Sequence, residues 1–215
     1  MKCSFDGKNQ MVLGDMRFRS YDRSIDIEEE DSERMFVLVR GEALFKVRDK
    51  VYRAKRSSPF NIKPAALYLP PNRSAKIEKK GDDMLMISST FKSKAKGITK
   101  LIKQKDVKTT YEGNGSYRSK VRQIFENSNF ACGETLCLPG KWVSETCKGK
   151  RVAFFKVRPE DSFGFIRTRS GKMDEVALIE DGTTVFFDGG NSTIASVPQT
   201  TVYSLWFLEK EEENG

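Results

Sequence analysis

Short segments rich in β-branched and aromatic residues, each closed by turn formers, recur through this chain, and no stretch keeps a long helical period. Met35–Val39, Ala43–Val47, Ala66–Leu69, Ala75–Glu78 and Met84–Ser88 form a first set. Val152–Val157, Phe163–Arg167, Glu175–Ile179, Thr184–Phe187 and Val202–Phe207 form a second. Such residues fit a pleated, half-buried surface, and the Gly, Pro and Asn between them supply turns. The pattern predicts an all-β chain. Ser93–Lys103 is the one place where a short helix is expected.

A shift of 118 positions lays one set over the other, bringing Arg40 onto Arg158, Glu42 onto Glu160 and Phe45 onto Phe163. The same shift sets Pro70-Pro71-Asn72 against Asp188-Gly189-Gly190, so a turn follows an apolar strand at the same place in each half. One gap-free offset serving both places points to a duplicated unit. The expected organisation is a first barrel over 1–95, a Lys-rich linker over 96–112 and a second barrel over 113–215. Gly113-Asn114-Gly115 marks the turn before the second half. The acidic end, Glu209 to Glu213, reads as a frayed tail.

The 215 residues contain no histidine. Imidazole is the commonest metal ligand and the usual proton carrier near neutral pH, so any chemistry here falls to Asp, Glu, Cys, Lys and Tyr. The four cysteines, Cys3, Cys132, Cys137 and Cys147, show no CxxC spacing and make a poor zinc set. They read as reduced structural thiols, with a Cys132–Cys137 bridge across a turn as the alternative. The apolar runs Met35–Val39 and Val152–Phe155 fall far short of the ~18 residues of a membrane span. Met1–Gln10 carries Lys2, Asp6 and Lys8 with no apolar h-region, so the expected location is cytoplasmic, with no membrane partner.

A net charge of +8 favours an anionic partner. Most Lys and Arg are interspersed with acids, except across Lys92–Lys108, where seven lysines gather. That run reads as a solvated linker or as an electrostatic docking strip. No aromatic residues interleave with the lysines for base stacking, so nucleic acid is not the favoured partner. A homo-oligomer is left open.

Several motifs occur in a common order. Arg56-Ser57-Ser58-Pro59-Phe60 and Ala66-Leu67-Tyr68-Leu69-Pro70-Pro71 come first, then Gly113-Asn114-Gly115-Ser116-Tyr117-Arg118 with Val121 and Ile124. Gly133-Glu134-Thr135, Pro139-Gly140 and Trp142 follow, then Arg158-Pro159-Glu160 with Phe163-Gly164-Phe165, Asp181-Gly182, and Tyr203 with Leu205-Trp206. Together they resemble the 5-deoxy-glucuronate isomerase family of inositol catabolism over nearly the whole chain. The resemblance implies a bicupin: two tandem cupin-type, jelly-roll-like β-barrels. It also implies a divalent metal in the second barrel and interconversion of aldose and ketose forms of a sugar acid. A relative acting on 5-keto-4-deoxyuronate shares that architecture.

Such an isomerisation moves a proton between adjacent carbons, and in the family the metal polarises the carbonyl. The family ligands are a His-x-His pair after a Trp segment, a Glu leading an apolar-aromatic strand, and a late His after a turn. In this chain eight residues, Val143 to Lys150, separate Trp142 from Arg151, which stands in place of the Glu ahead of Val152-Ala153-Phe154-Phe155. The loop for the His pair is reduced to Glu145-Thr146-Cys147-Lys148-Gly149, and Ser192 occupies the late histidine's place. In the first half the matching positions hold Glu33 and Ser74, one carboxylate and no second strong ligand. The expectation is a protein with no metal and no cofactor.

A guanidinium at Arg151 can grip a carboxylate in two-point fashion. The candidate ligand site is therefore Arg151 with Arg167 and Ser192, walled by Trp142, Phe155 and Tyr203 and also by Phe165 and Trp206, for a small carboxylated sugar or another anion. The competing expectation is that Arg151 pairs with Glu145, Asp174 or Glu175 and that the aromatics are core. Lys150 and Glu175 are the available general bases if catalysis survives. Three functions follow: a metal-free derivative that binds a sugar acid, an isomerase acting through a site unlike the family's, or a non-catalytic scaffold for protein association.

Overall fold

A computed structural model describes residues 2–3, 10–92, 97–171 and 173–210. The chain is all-β and divides into two compact units, Gly7–Val107 on one side and Met1–Asp6 with Lys108–Gly215 on the other. In chain order the first strands are β1 (Lys2–Cys3), β2 (Gln10–Leu13), β3 (Met16–Tyr21), β4 (Ile25–Ile27), β5 (Glu33–Val47), β6 (Lys50–Arg56), β7 (Ala66–Leu69), β8 (Ala75–Phe91) and β9 (Lys100–Ile102). They continue as β10 (Lys108–Glu112), β11 (Ser119–Glu126), β12 (Phe130–Cys137), β13 (Trp142–Arg158), β14 (Gly164–Ser170), β15 (Met173–Ile179), β16 (Thr184–Ser196) and β17 (Thr201–Glu209). No helix among the described residues is long and apolar enough to cross a membrane.

In the N-terminal unit the order is β2-β3-β8-β5-β7-β9, with β4 on β8 and β6 on β5. The long strands change partners along their length: β5 meets β7 through Arg34–Val37 and β6 through Gly41–Val47. The register with β8 shifts between Leu38 and Arg40 and again between Gly41 and Glu42. A bulge re-aims the side chains that follow it. Even-numbered Phe36 and Leu38 and odd-numbered Ala43 and Phe45 thus share one core with Ile77, Met84 and Met86. Gly41 (φ +97°) is fixed there, because a Cβ would lie 2.1 Å from the Asp83 carbonyl oxygen.

In the C-terminal unit the order is β10-β11-β12-β17-β13-β16-β14-β15, with β1 on β16. Alternate residues of β13, Ala153, Phe155 and Val157, meet Val185, Ile194, Ile166, Ile179 and Val202 in the apolar core. Strand β12 is buried at every position.

Three expected local features differ. The described part of Ser93–Lys103 holds β9 instead of a helix, since Leu101 packs on the N-terminal core and Lys100–Ile102 pair with β7; residues 93–96 lie outside the described residues. The segment after it carries β10, paired with β11. Of the acidic end, Glu209 is still in β17, and Lys210 donates to the Asn127 carbonyl and the Glu126 carboxylate, while residues 211–213 lie outside the described residues. Cys132, Cys137 and Cys147 are free and buried, so no Cys132–Cys137 bridge forms; five residues apart on one strand, the two point to opposite faces.

Candidate functional site

Strand β13 carries its core-facing alternation one step beyond Ala153, and the next residue of that face is Arg151. It pairs across the sheet with Phe187 of β16 and Leu208 of β17. The Arg151 side chain is 7% exposed, and its Nη1 meets the Glu145 carboxylate. The guanidinium carbon lies 5.0 Å from the Trp206 ring centre and 5.6 Å from that of Phe187. Away from water, such contacts contribute up to about 2 kcal/mol. Arg151 Nε has no hydrogen-bond acceptor among the described residues.

Glu145 is held from the other side as well. Thr135 Oγ1 donates to Glu145 Oε1 at 3.3 Å, and Trp206 Nε1 donates to Thr135 Oγ1 at 3.1 Å. Trp206 therefore orients the carboxylate through Thr135 and covers the cation with its ring. Ser192 is buried directly across from Glu145 and on its other side pairs with Thr168. Beyond Thr168, a cavity of about 440 Å³ is lined by Ile166, Thr168, Glu175, Ala177 and Val185.

Of the predicted site residues, the structure brings Arg151 and Ser192 to one face and separates the others. Arg167 faces solvent and grips Asp174 through Nε (2.7 Å) and Nη2 (2.6 Å). That pairing holds the Asp174 carboxyl below and the Arg167 guanidinium above their usual ranges. Arg167 is adjacent to Thr168, and neighbours on a strand point to opposite faces. Phe155 lies in the apolar core, while Trp142 and Phe165 are largely exposed. Lys150 reaches Glu209 at 3.5 Å, and Glu175 is exposed.

Tyr203 lies on the opposite face from Trp206. Its hydroxyl donates to Glu134 Oε1 at 2.7 Å, and Arg122 Nη1 donates to Glu134 Oε2 at 2.9 Å. All three residues are fully buried. A carboxylate enclosed by a guanidinium and a phenol is compensated in place, which marks this group as internal framework.

A divalent cation does not fit the Arg151 surroundings. The one carboxylate there is engaged on both oxygens, by a guanidinium and by Thr135, and Cys147 Sγ donates to the Gly149 carbonyl at 3.2 Å. Hard cations need several oxygen ligands and softer ones need imidazole or thiolate sets. Among the described residues no three acids or cysteines stand together in such a set.

The sequence profile of the KduI/IolB family matches residues 18–214. An IolB-like protein from Salmonella typhimurium LT2 superposes with a TM-score of 0.80 at 21% identity, over 90% of this chain and 83% of its own. An oxalate decarboxylase from Lactobacillus farciminis reaches 0.66 at 8% identity, over 98% and 86%. A cupin 2 conserved barrel domain protein from Leptotrichia buccalis reaches 0.56 at 12% identity, over 98% and 88%. At such identities the likeness shows a cupin-type fold alone. No curated protein matches the sequence.

Proposed function

The chain belongs to the KduI/IolB family, whose members are sugar isomerases, and from that premise we propose that this member binds a small sugar acid without metal and does not isomerise it. The observation that carries the reading is the Arg151–Glu145 pair, in which the arginine is buried and the carboxylate half-buried. Proton transfer between adjacent carbons needs a carbonyl polariser and a base free to accept a proton. A guanidinium stays protonated and cannot serve as that base. Glu145 has both oxygens occupied, and Ser192 supplies a hydroxyl with no charge.

Binding asks for less. Arg151 Nε remains a donor without an acceptor among the described residues, the Trp206 ring supplies a flat apolar wall, and Thr168, paired across the sheet with Ser192, lines the neighbouring cavity. A carboxylated sugar presents the matching features: an anionic end and a hydroxylated body.

Elemental analysis of the purified full chain, combined with an assay of uronate and deoxy-uronate turnover, tests the reading. Substoichiometric metal and no turnover are expected, while stoichiometric Mn, Zn or Fe would overturn it, as would turnover of either sugar acid. In a thermal-shift comparison, glucuronate stabilises the wild type more than Arg151→Ala. Equal shifts would remove Arg151 from the site.

A further inference from the structure

The N-terminal unit holds a separate group of arginines. Along β3, Met16 and Phe18 are buried, while Arg17, Arg19 and Tyr21 alternate with them on the other face. The register sets Arg17 beside Thr90 and Thr90 beside Arg34. It also sets Arg19 beside Ser88 and Ser88 beside Phe36. Two arginines thus flank Thr90 across three adjacent strands, and the third stands two residues along on the same face. With strands roughly 4.8 Å apart, the roots of Arg17 and Arg34 are about 10 Å apart, a gap that long side chains converge across. Together with Tyr21 and Phe36 they line a cavity of about 390 Å³, within the range that holds small ligands.

The partners of these cations matter most. Arg34 is 4% exposed, and its Nη1 and Nη2 donate to the carbonyls of Glu28 (2.6 Å) and Arg73 (2.5 Å), which are dipoles and carry no charge. Among the described residues its Nε and that of Arg19 have no acceptor, and neither residue has a carboxylate partner. Of the nearby acids, Glu30 pairs with Arg17 and Asp26 with Lys76. Glu28 and Glu29 line the same cavity but are exposed at its rim. Burial, and then the charge of Arg17, hold the Arg34 guanidinium below its usual pKa, as uncompensated positive charge would. Burying a cation without a counter-charge is costly, and an entering anion relieves that cost.

We propose that this cavity binds the oxyanion group of a small ligand, a carboxylate or a phosphate, between Arg19 and Arg34, with Arg17 at its side and Tyr21 and Phe36 against the ligand body. The site shares no residue with the Arg151 surroundings and stands whether or not the reading of that barrel holds.

Isothermal titration of the full chain at low salt with glucuronate, with inorganic phosphate and with neutral glucose tests it. Saturable binding of at least one anion is expected, with glucose weaker by about ten-fold or more, in keeping with the strength of charge-assisted hydrogen bonds. Preference for phosphate supports a phosphate-bearing ligand, and preference for glucuronate supports a carboxylate. Arg34 anchors two loop carbonyls and its loss can unfold the unit, so the half-exposed Arg17 and Arg19 carry the test. Arg19→Gln and Arg17→Gln each weaken binding about ten-fold. The proposal is overturned if the wild type binds neither anion saturably, or if both Gln variants bind as the wild type does. Loss of glucuronate binding in Arg151→Ala alone would place the sugar acid in the other unit and leave the non-isomerising reading intact.

Discussion

Arg151 and Glu145 lie on the same strand, six residues apart, and their side chains meet. Six residues of extended strand cover about 20 Å, farther than the two side chains can span together. The strand must therefore bend between them, and its register against β16 shifts between Cys147 and Lys150. Gly149 stands at that shift with φ +103°, and Gly190, paired with Cys147, has φ +100°. Backbone geometry open to glycine thus closes an ion pair formed within one strand.

Breaking the pair should expose its cost. Removing one partner of a buried ion pair typically costs ~3–5 kcal/mol. With Arg151 at 7% exposure and Glu145 at 21%, Glu145→Gln and Arg151→Met should each lose about 2 kcal/mol, discounted for the exposure of Glu145. The double variant should recover on the order of 1 kcal/mol of the summed losses. Urea unfolding midpoints of the four proteins measure this, and strictly additive losses would count against an energetic pair.

Gly190→Ala tests the bend. An added Cβ would lie 2.1 Å from the Arg169 carbonyl oxygen, at a φ that L side chains rarely adopt. A loss of about 2 kcal/mol or more is expected from strain and clash together. Combined with Glu145→Gln, the effect should be smaller than the sum, since an opened bend has already parted the ion pair.

Tyr203 offers a contrast between framework and ligand contact. Tyr203→Phe removes one hydrogen bond to a buried carboxylate and should cost about 1–3 kcal/mol. Glu134→Ala removes the carboxylate that faces the fully buried Arg122 and should cost about 3–5 kcal/mol. Neither should change the affinity of folded protein for glucuronate or phosphate, measured by titration. A selective loss of affinity in Tyr203→Phe would return Tyr203 to the ligand wall.

The buried cysteines make an alkaline prediction. Burial pushes the Cys137 thiol up to about 12 from the 9.0 of a free thiol, partly offset by a backbone hydrogen bond from Ser196, and it raises Cys132 well above that ordinary value. The unfolded chain thus releases these protons first. Their contribution to stability is fully present below pH 9.0 and declines as pH rises toward about 12. Urea midpoints at increasing alkaline pH should fall less steeply for Cys137→Ala than for the wild type, and native Cys137 should resist alkylation at pH 8.

Much of this was legible from alternation. The strands from Met35 onward follow their β-branched and aromatic segments, and the position of Arg151 follows from the strand Val152–Val157 that it leads into. The same rule carried information that the expected aromatic wall did not use: Tyr203 and Trp206 are three residues apart, so one strand cannot turn both to the same face. Arg167 fails as a neighbour of Ser192 for the related reason that Thr168 is the residue paired with Ser192. The Met16-Arg17-Phe18-Arg19 alternation already signalled a strand, but its nearness to Arg34 depends on β8 lying between β3 and β5, a long-range pairing that no local pattern encodes. The choice of Glu145 over Asp174 or Glu175 as the partner of Arg151 likewise rests on a bend set by two glycines.

Strand β12 has no solvent-facing side, and that has a consequence for how its sequence can vary. A half-exposed strand offers alternate positions where polar or apolar exchanges are nearly free. Phe130–Cys137 offers none: a substitution map of this segment should read as one unbroken block of intolerance, where β14, with Phe165, Arg167 and Arg169 exposed, should show the usual every-other-residue latitude.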